Sequence, residues 1–238
     1  ISRVWMDHAL WPLMTTKLYI DQTGDFEILN RQIPYFKDSQ IMRGTEADHL
    51  WKPEQGNRQR TVEDTVYTGS ILEHLLIQQL TAFYEVGNHN IYRLRDADWN
   101  DALDMASEHG ESVAFTCAYA GNLLELASLI RLLDGHSTTH TADLLEEITL
   151  LLQNNTEIFD NINQKHKILS DYSARCRHNI SGRRISLSLS VLAVDLIQKA
   201  NWLMEHLRAQ EWIDIDSERG WFNSYYDNHG NAVEGLYK

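Results

Sequence analysis

Apolar residues recur at the spacing of one helical face in three long stretches, and that period constrains the fold more than any other feature. Leu72, Leu75, Leu76, Leu80 and Phe83, together with Gln79, mark a helix expected over 63–86. Val113, Cys117, Ala120, Leu124, Ala127 and Ile130 mark a second over 111–133. Leu189, Leu192, Leu196, Ala200, Leu203 and Leu207 mark a third over 187–210. The same period is read over 141–165 through Leu144, Leu145, Ile148, Leu152 and Phe159, and after Pro12 through Leu13, Leu18, Tyr19 and Ile20. Gly24, Gly87 and Gly135 supply helix stops, because glycine tolerates the left-handed backbone found there. Asp25 is expected to cap a short helix over 26–33, ended by Pro34.

The remaining segments are polar. Residues 35–60 show no period and carry Gly44, Pro53 and Gly56. So long a loop in a compact domain is usually functional or disordered, and Asp48, His49 and Trp51 within it favour the functional reading. Residues 170–184 read as basic and irregular, and 220–226 as a strand followed by turn chemistry at 227–231. Long helices in antiparallel pairs predict an all-α domain, and the absence of a repeat of roughly 30 to 50 residues disfavours a solenoid. About five long helices are too few to close a barrel of helix pairs. Residues 1–238, opening on Ile1, are therefore read as a portion of a single larger domain.

A net charge of −13 argues against a nucleic-acid partner, whose phosphates are held by Lys and Arg clusters. Seven Trp and ten Tyr in an acidic chain suit a neutral, hydroxyl-rich ligand. Cys117 and Cys176 form neither a disulfide framework nor a metal knuckle. No apolar run is read as long enough to span a membrane and no leader is seen, so a cytoplasmic location with no membrane partner is expected. His136 and His140 read as an exposed turn rather than a metal site, and Arg175, Arg177, Arg183 and Arg184 as a solvent-facing loop.

The chemistry concentrates in Arg95-Asp96-Ala97-Asp98-Trp99-Asn100-Asp101-Ala102-Leu103-Asp104. Such carboxylates can serve a helix N-terminus, where free N–H groups and the helix dipole favour negative charge. Alternatively, repulsion among them keeps a proton on one, as a general acid at neutral pH requires. Trp99 beside them offers an apolar face on which a sugar ring can pack. Both readings stand on the residues alone.

Asp98-Trp99-Asn100-Asp101 resembles the Asp-Trp-Asn-Asp signature of glycoside hydrolase family 94, the inverting phosphorylases of β-linked gluco-oligosaccharides. Asp7-His8-Ala9-Leu10-Trp11 is similar to that family's Asp-Asp-x-Leu-Trp segment, and Tyr19 to Asp25 to its Tyr-x-x-x-Thr-Gly-Asp helix end. Val66-Tyr67 with Glu73-His74, Gly110-Glu111-Ser112-Val113 and Trp221-Phe222 to Asp227 follow the family's order. The sequence departs from the pattern at His8, Ala97 and Ala102, and at Asn223-Ser224, where many members carry Arg. Val4 to His8 and Gly220 to Asn223 are closest in wording to the branch acting on β-1,2-linked oligoglucans.

The resemblance implies an (α/α)6 barrel, of which this chain is part, and catalysis with a single protein carboxylate. It implies Asp101 as the general acid, Trp99 as a sugar contact and Asp98 as the residue orienting the loop. Asp7 and Glu111 follow as further substrate-binding candidates, each also readable as a helix-terminal or buried paired carboxylate. The partners implied are an oligosaccharide and inorganic phosphate, the latter as co-substrate with no cofactor and no metal. The family's phosphate-holding His and Thr/Gly motifs and its Arg…Asp sugar clamp have no counterparts here, so residues 1–238 alone are expected not to turn over. Their absence points to remaining segments of the same protein, or a homo-oligomer, as partners. Two rivals stay open: an inverting hydrolase using water and a second carboxylate, and a non-catalytic carbohydrate-binding fragment.

Overall fold

A computed structural model of the chain describes residues 6–95, 101–216 and 219–233, without the side chains of Arg43, Asp101 and Ala102. Six α-helices carry the fold: α1 (Trp11–Thr23), α2 (Ile71–Tyr84), α3 (Val113–His136), α4 (Thr156–Asp160), α5 (Ile162–Arg175) and α6 (Leu189–Gln210). Among the described residues there are also five short antiparallel strand pairs. The body is mostly helical; closure into a barrel is not shown.

The expected stripes of α2 and α6 form the core. On α3 Leu124 is exposed and Cys117 half-buried, the buried face running instead through Leu123, Leu126 and Ile130, and on α1 Leu18 and Tyr19 are exposed. Leu123, Leu126 and Ile130 of α3 pack with Leu192, Leu196 and Leu203 of α6 in one continuous cluster that also takes in Leu76, Leu80 and Phe83 of α2. Burying each such side chain contributes about 1.5–3 kcal/mol, so this shared face fixes how the helices stack. Phe83, Phe159 and Trp202 meet edge to face at 5.0–6.1 Å. Lys165 is threaded among them, its Nζ 3.9 Å from the Trp202 ring and donating to Asn90 Oδ1 at 2.8 Å. Burial drives its pKa well below the usual lysine value.

Several boundaries differ from the sequence expectation. The helix expected over 141–165 is replaced by a strand Thr141–Leu145, paired with Arg184–Ser188, then a 3-10 turn, α4 and the start of α5. The period misled because Leu144, Ile148, Leu151 and Phe159 reach the same core from different elements. Asn155 and Asn161 break the run by capping α4 and α5, accepting from Glu157 N at 2.9 Å and Gln164 N at 3.0 Å. The basic stretch 170–184 is correspondingly helical as far as Arg175. Of its arginines, Arg183 pairs with Glu146 and Arg177 with Glu46.

α2 begins at Ile71, not near 63, because Thr68–Ser70 pairs with Gln32–Pro34 and Ser70 then caps the helix. α3 begins at Val113 because Glu111–Ser112 pairs with Tyr225–Tyr226, and it runs through Gly135 to His136. The short helix at 26–33 is a 3-10 turn, Phe26–Asn30, followed by a strand. Asp25 does not cap it; its carboxylate accepts from Tyr19 OH at 2.8 Å. The strand expected over 220–226 is two strands with different partners.

The expectation that no segment could span a membrane is also corrected. α3 is long and apolar enough to do so by length and composition. In this fold it is the central core helix, packed along α6.

The long loop 35–60 is tied down through Asp48, which is 4% exposed. Its Oδ2 lies 2.9 Å from Lys37 Nζ and 2.8 Å from His178 Nδ1, and Oδ1 accepts from Leu50 N at 3.0 Å. Burial pushes this carboxyl up, but the hydrogen bonds from Lys37, His178 and Leu50 together outweigh it and hold the pKa down at about 2. A depressed folded-state pKa stabilises the fold above the usual carboxylate range and is lost as pH falls towards about 2. Asp48→Asn should lower unfolding stability at pH 7 by about 3 kcal/mol and flatten the loss between pH 4 and 2, read by denaturant titration across pH. An unchanged unfolding midpoint would contradict this role.

Candidate functional site

A cavity of about 330 Å³ opens where α2, α5 and the segment just before α1 converge. α2 presents Gln78 and Thr81 to it, three residues apart and therefore on one helical face, and Glu85, the residue that ends the helix, adds a third polar group. α5 adds Tyr172 and Ser173, and the 3-10 turn Met6–Ala9 adds His8. Arg95 completes the wall. Its guanidinium is ion-paired with Glu85, whose carboxylate is 2% exposed. Gln78 Oε1 is buried with no hydrogen-bond partner among the described residues, an acceptor free for a ligand hydroxyl.

Arg95 leads directly into the acidic stretch, and the backbone shows how that stretch is held. Ser112 N donates to Tyr92 O at 2.9 Å and Leu94 N to Gly110 O at 2.8 Å. The described residues 101–109 therefore belong to an excursion zipped at its base by these pairings. Arg95 itself takes φ +50°, a left-handed turn that re-aims the chain at this point. Gly110 closes the excursion where a side chain would meet the backbone of Ala106 at 2.2 Å. Within it, Asp101–Ala106 is a 3-10 helix. Ala106, fully buried, packs with Leu94 and Tyr225.

The expected site residues fall as follows. Asp98 and Trp99 lie outside the described residues, as does the side chain of Asp101, whose backbone opens the 3-10 helix. Asp104 is exposed. Asp7 accepts from Trp11 Nε1 at 3.0 Å through Oδ2, while its buried Oδ1 has no hydrogen-bond partner among the described residues. Glu111, 2% exposed, is turned towards the 87–91 turn. It accepts from His89 N at 3.1 Å, Ile91 N at 3.2 Å and the His89 ring at 2.8 Å. The structure thus brings the Asp7–Trp11 segment, through His8, to the same cavity as Arg95.

Sequence reasoning missed Glu85 and Gln78. Gln78 lies on α2 and Glu85 just past its end, positions that without the cavity read as ordinary polar ones. Glu73 and His74 have structural partners. Glu73 accepts from Tyr35 OH at 2.8 Å, Tyr67 OH at 3.1 Å and Leu145 N at 2.7 Å, and burial raises its pKa. His74 stacks on Tyr35 at 3.6 Å. Among the described residues, no group of three His, Cys, Asp or Glu side chains is placed to hold a metal ion.

No family model matches the chain. Over 130 residues, 54% of the chain, it is 25% identical to a solabiose phosphorylase of Paenibacillus borealis. The matched stretch spans 13% of that protein's length. The likeness is therefore to a glycoside phosphorylase, over a small part of it.

Glu111→Ala should cost about 3 kcal/mol, because it strips the acceptor from two backbone N–H groups and the His89 ring. Glu111→Gln, which keeps one acceptor oxygen, should lose less. Urea unfolding of both variants measures this, and equal losses would contradict the anchoring geometry.

Proposed function

We propose that this chain is part of a glycoside phosphorylase of the family 94 type. It would cleave a β-linked gluco-oligosaccharide, with β-1,2-linked glucan as the first candidate, by inorganic phosphate to give α-glucose 1-phosphate. The observation that carries the reading is that His8 of the Asp7–Trp11 segment and Arg95 at the head of the Asp-Trp-Asn-Asp segment, far apart in sequence, line one cavity. The similarity to a solabiose phosphorylase supports it independently.

In this mechanism Asp101 donates its proton to the glycosidic oxygen as the bond to the anomeric carbon breaks. A phosphate oxygen attacks that carbon from the opposite face, so configuration inverts and phosphate takes the place of the water of an inverting hydrolase. The leaving sugar departs with a new hydroxyl, and the carboxylate of Asp101 is reprotonated for the next cycle. Asp98, close in sequence, and Asp104, which the 3-10 helix carries, add the negative charge that favours the protonated acid. Trp99 gives the sugar ring an apolar platform, Asp98 orients the loop, and Asp7 is a further substrate-binding candidate beside His8. Glu111 acts by holding the turn behind the excursion. Remaining segments of the same protein, or a second copy, supply the phosphate ligands. A cytoplasmic setting accompanies this reading.

The test is the full-length protein with β-linked gluco-oligosaccharides, with and without phosphate. Glucose 1-phosphate should form only with phosphate, and Asp101→Asn should lower kcat by at least about 10³-fold while sparing sugar binding. Because the acid must hold its proton, kcat should fall as pH rises through the pKa of Asp101. Free glucose released without phosphate would instead establish a hydrolase.

A further inference from the structure

We propose that Asn228 is a positioning residue for the acid-bearing 3-10 helix, an inference that rests on the phosphorylase reading of Asp101. Its side-chain oxygen accepts from two successive backbone groups, Glu108 N at 2.9 Å and His109 N at 2.8 Å. Its own backbone N donates to Met105 O at 2.8 Å. A helix leaves its last carbonyls without intrahelical partners, and the N–H groups of the turn that follows need acceptors as well. One residue from a distant segment satisfies both kinds of group at the end of Asp101–Ala106.

The turn that carries Asn228 holds its shape from within. Asp227 Oδ1 accepts from His229 N at 2.9 Å and Asn231 N at 2.8 Å, and Oδ2 accepts from Asn231 Nδ2 at 3.0 Å. Gly230 takes φ +81°, which a side chain would strain. Tyr225 and Tyr226 fasten the turn to Glu111–Ser112 at the start of α3, and Tyr225 packs against Ala106. The helix is therefore gripped at its far end by an element registered to the core, while Arg95 and Glu85 hold the chain before it.

Leverage makes the grip matter. At about 2 Å of rise per residue, the cap sits about 10 Å from Asp101. A tilt of only several degrees at the cap would carry the acid by about 1 Å, and a displacement of that size can cost about 10²-fold in rate. Asn228 touches no reacting atom in this scheme and acts through the helix it caps.

The experiment compares Asn228→Ala and Asn228→Asp with wild type in the full-length protein. Kinetics of phosphorolysis are measured alongside residue-resolved amide hydrogen exchange. Asn228→Ala should speed exchange at Glu108 and His109 and lower kcat by about 30- to 100-fold, with KM within about 2-fold. Asn228→Asp, whose carboxylate oxygen can accept the same two N–H groups, should restore slow exchange and most of kcat. Unchanged exchange in Asn228→Ala would overturn the cap itself. Faster exchange with wild-type kcat, or an equal kcat loss in both variants, would overturn the positioning role. Absence of phosphorolysis in the wild type would remove the reaction reading instead, with the exchange data still reporting on the cap.

Discussion

A buried carboxylate, that of Glu111, sits where three parts of the chain must agree. It gathers the backbone N–H groups of His89 and Ile91, which follow α2, and it belongs to the strand that starts α3 and pairs with Tyr225–Tyr226. His89, held by the same carboxylate, stacks on Tyr226 at 3.6 Å. A carboxylate taken out of water is tolerated only when its oxygens are fully engaged, so these contacts fix one another. The register of the 110–112 segment against 92–94 depends on that junction, and with it the base of the acidic excursion.

From this junction the candidate site follows by simple geometry. Arg95 is held through its guanidinium by Glu85 on the cavity wall, and Leu94 beside it is bonded to Gly110. The charge density of the excursion needs no explanation from the core, since the one fully buried side chain among its described residues is that of Ala106. A cavity with Gln78, Thr81 and Ser173 on its walls suits recognition of a polyhydroxylated ligand. On the proposed reading, packed helices carry the stability and the braced loop the chemistry. Core substitutions in α3 or α6 should therefore report on folding, and substitutions in the excursion on reaction.

The sequence carried the core faces of α2 and α6, whose stripes keep a single period, whereas on α3 it took in Leu124, which is exposed, and passed over Leu123 and Leu126, which are buried. It failed over 141–165, where apolar residues of four elements converge on one core and imitate the period of a single helix. Helix starts were placed too early wherever a short strand precedes the cap, as at Ser70 and Ser112. Two- or three-residue pairings leave no periodic trace. The acidic segment stands out in the sequence because such charge density is not needed to fill a core, but Asp98, Trp99 and the Asp101 side chain lie outside the described residues. Glu85, Gln78 and Asn228 do not stand out, since a polar residue acquires a role only from what the fold sets beside it. Asp48 shows the converse: a loop residue singled out for function is engaged by Lys37 and His178 as an internal tie.

The central claim concerns where the carboxylate of Asp101 lies relative to the bond that breaks. The most direct measurement is a crystal structure of the full-length protein with a non-cleavable β-linked gluco-oligosaccharide and phosphate. The account places Asp101 within hydrogen-bond reach of the glycosidic oxygen, about 2.6–3.2 Å, with phosphate on the opposite face of the anomeric carbon. A sugar bound away from this cavity, or with another carboxylate at the glycosidic oxygen, would contradict it.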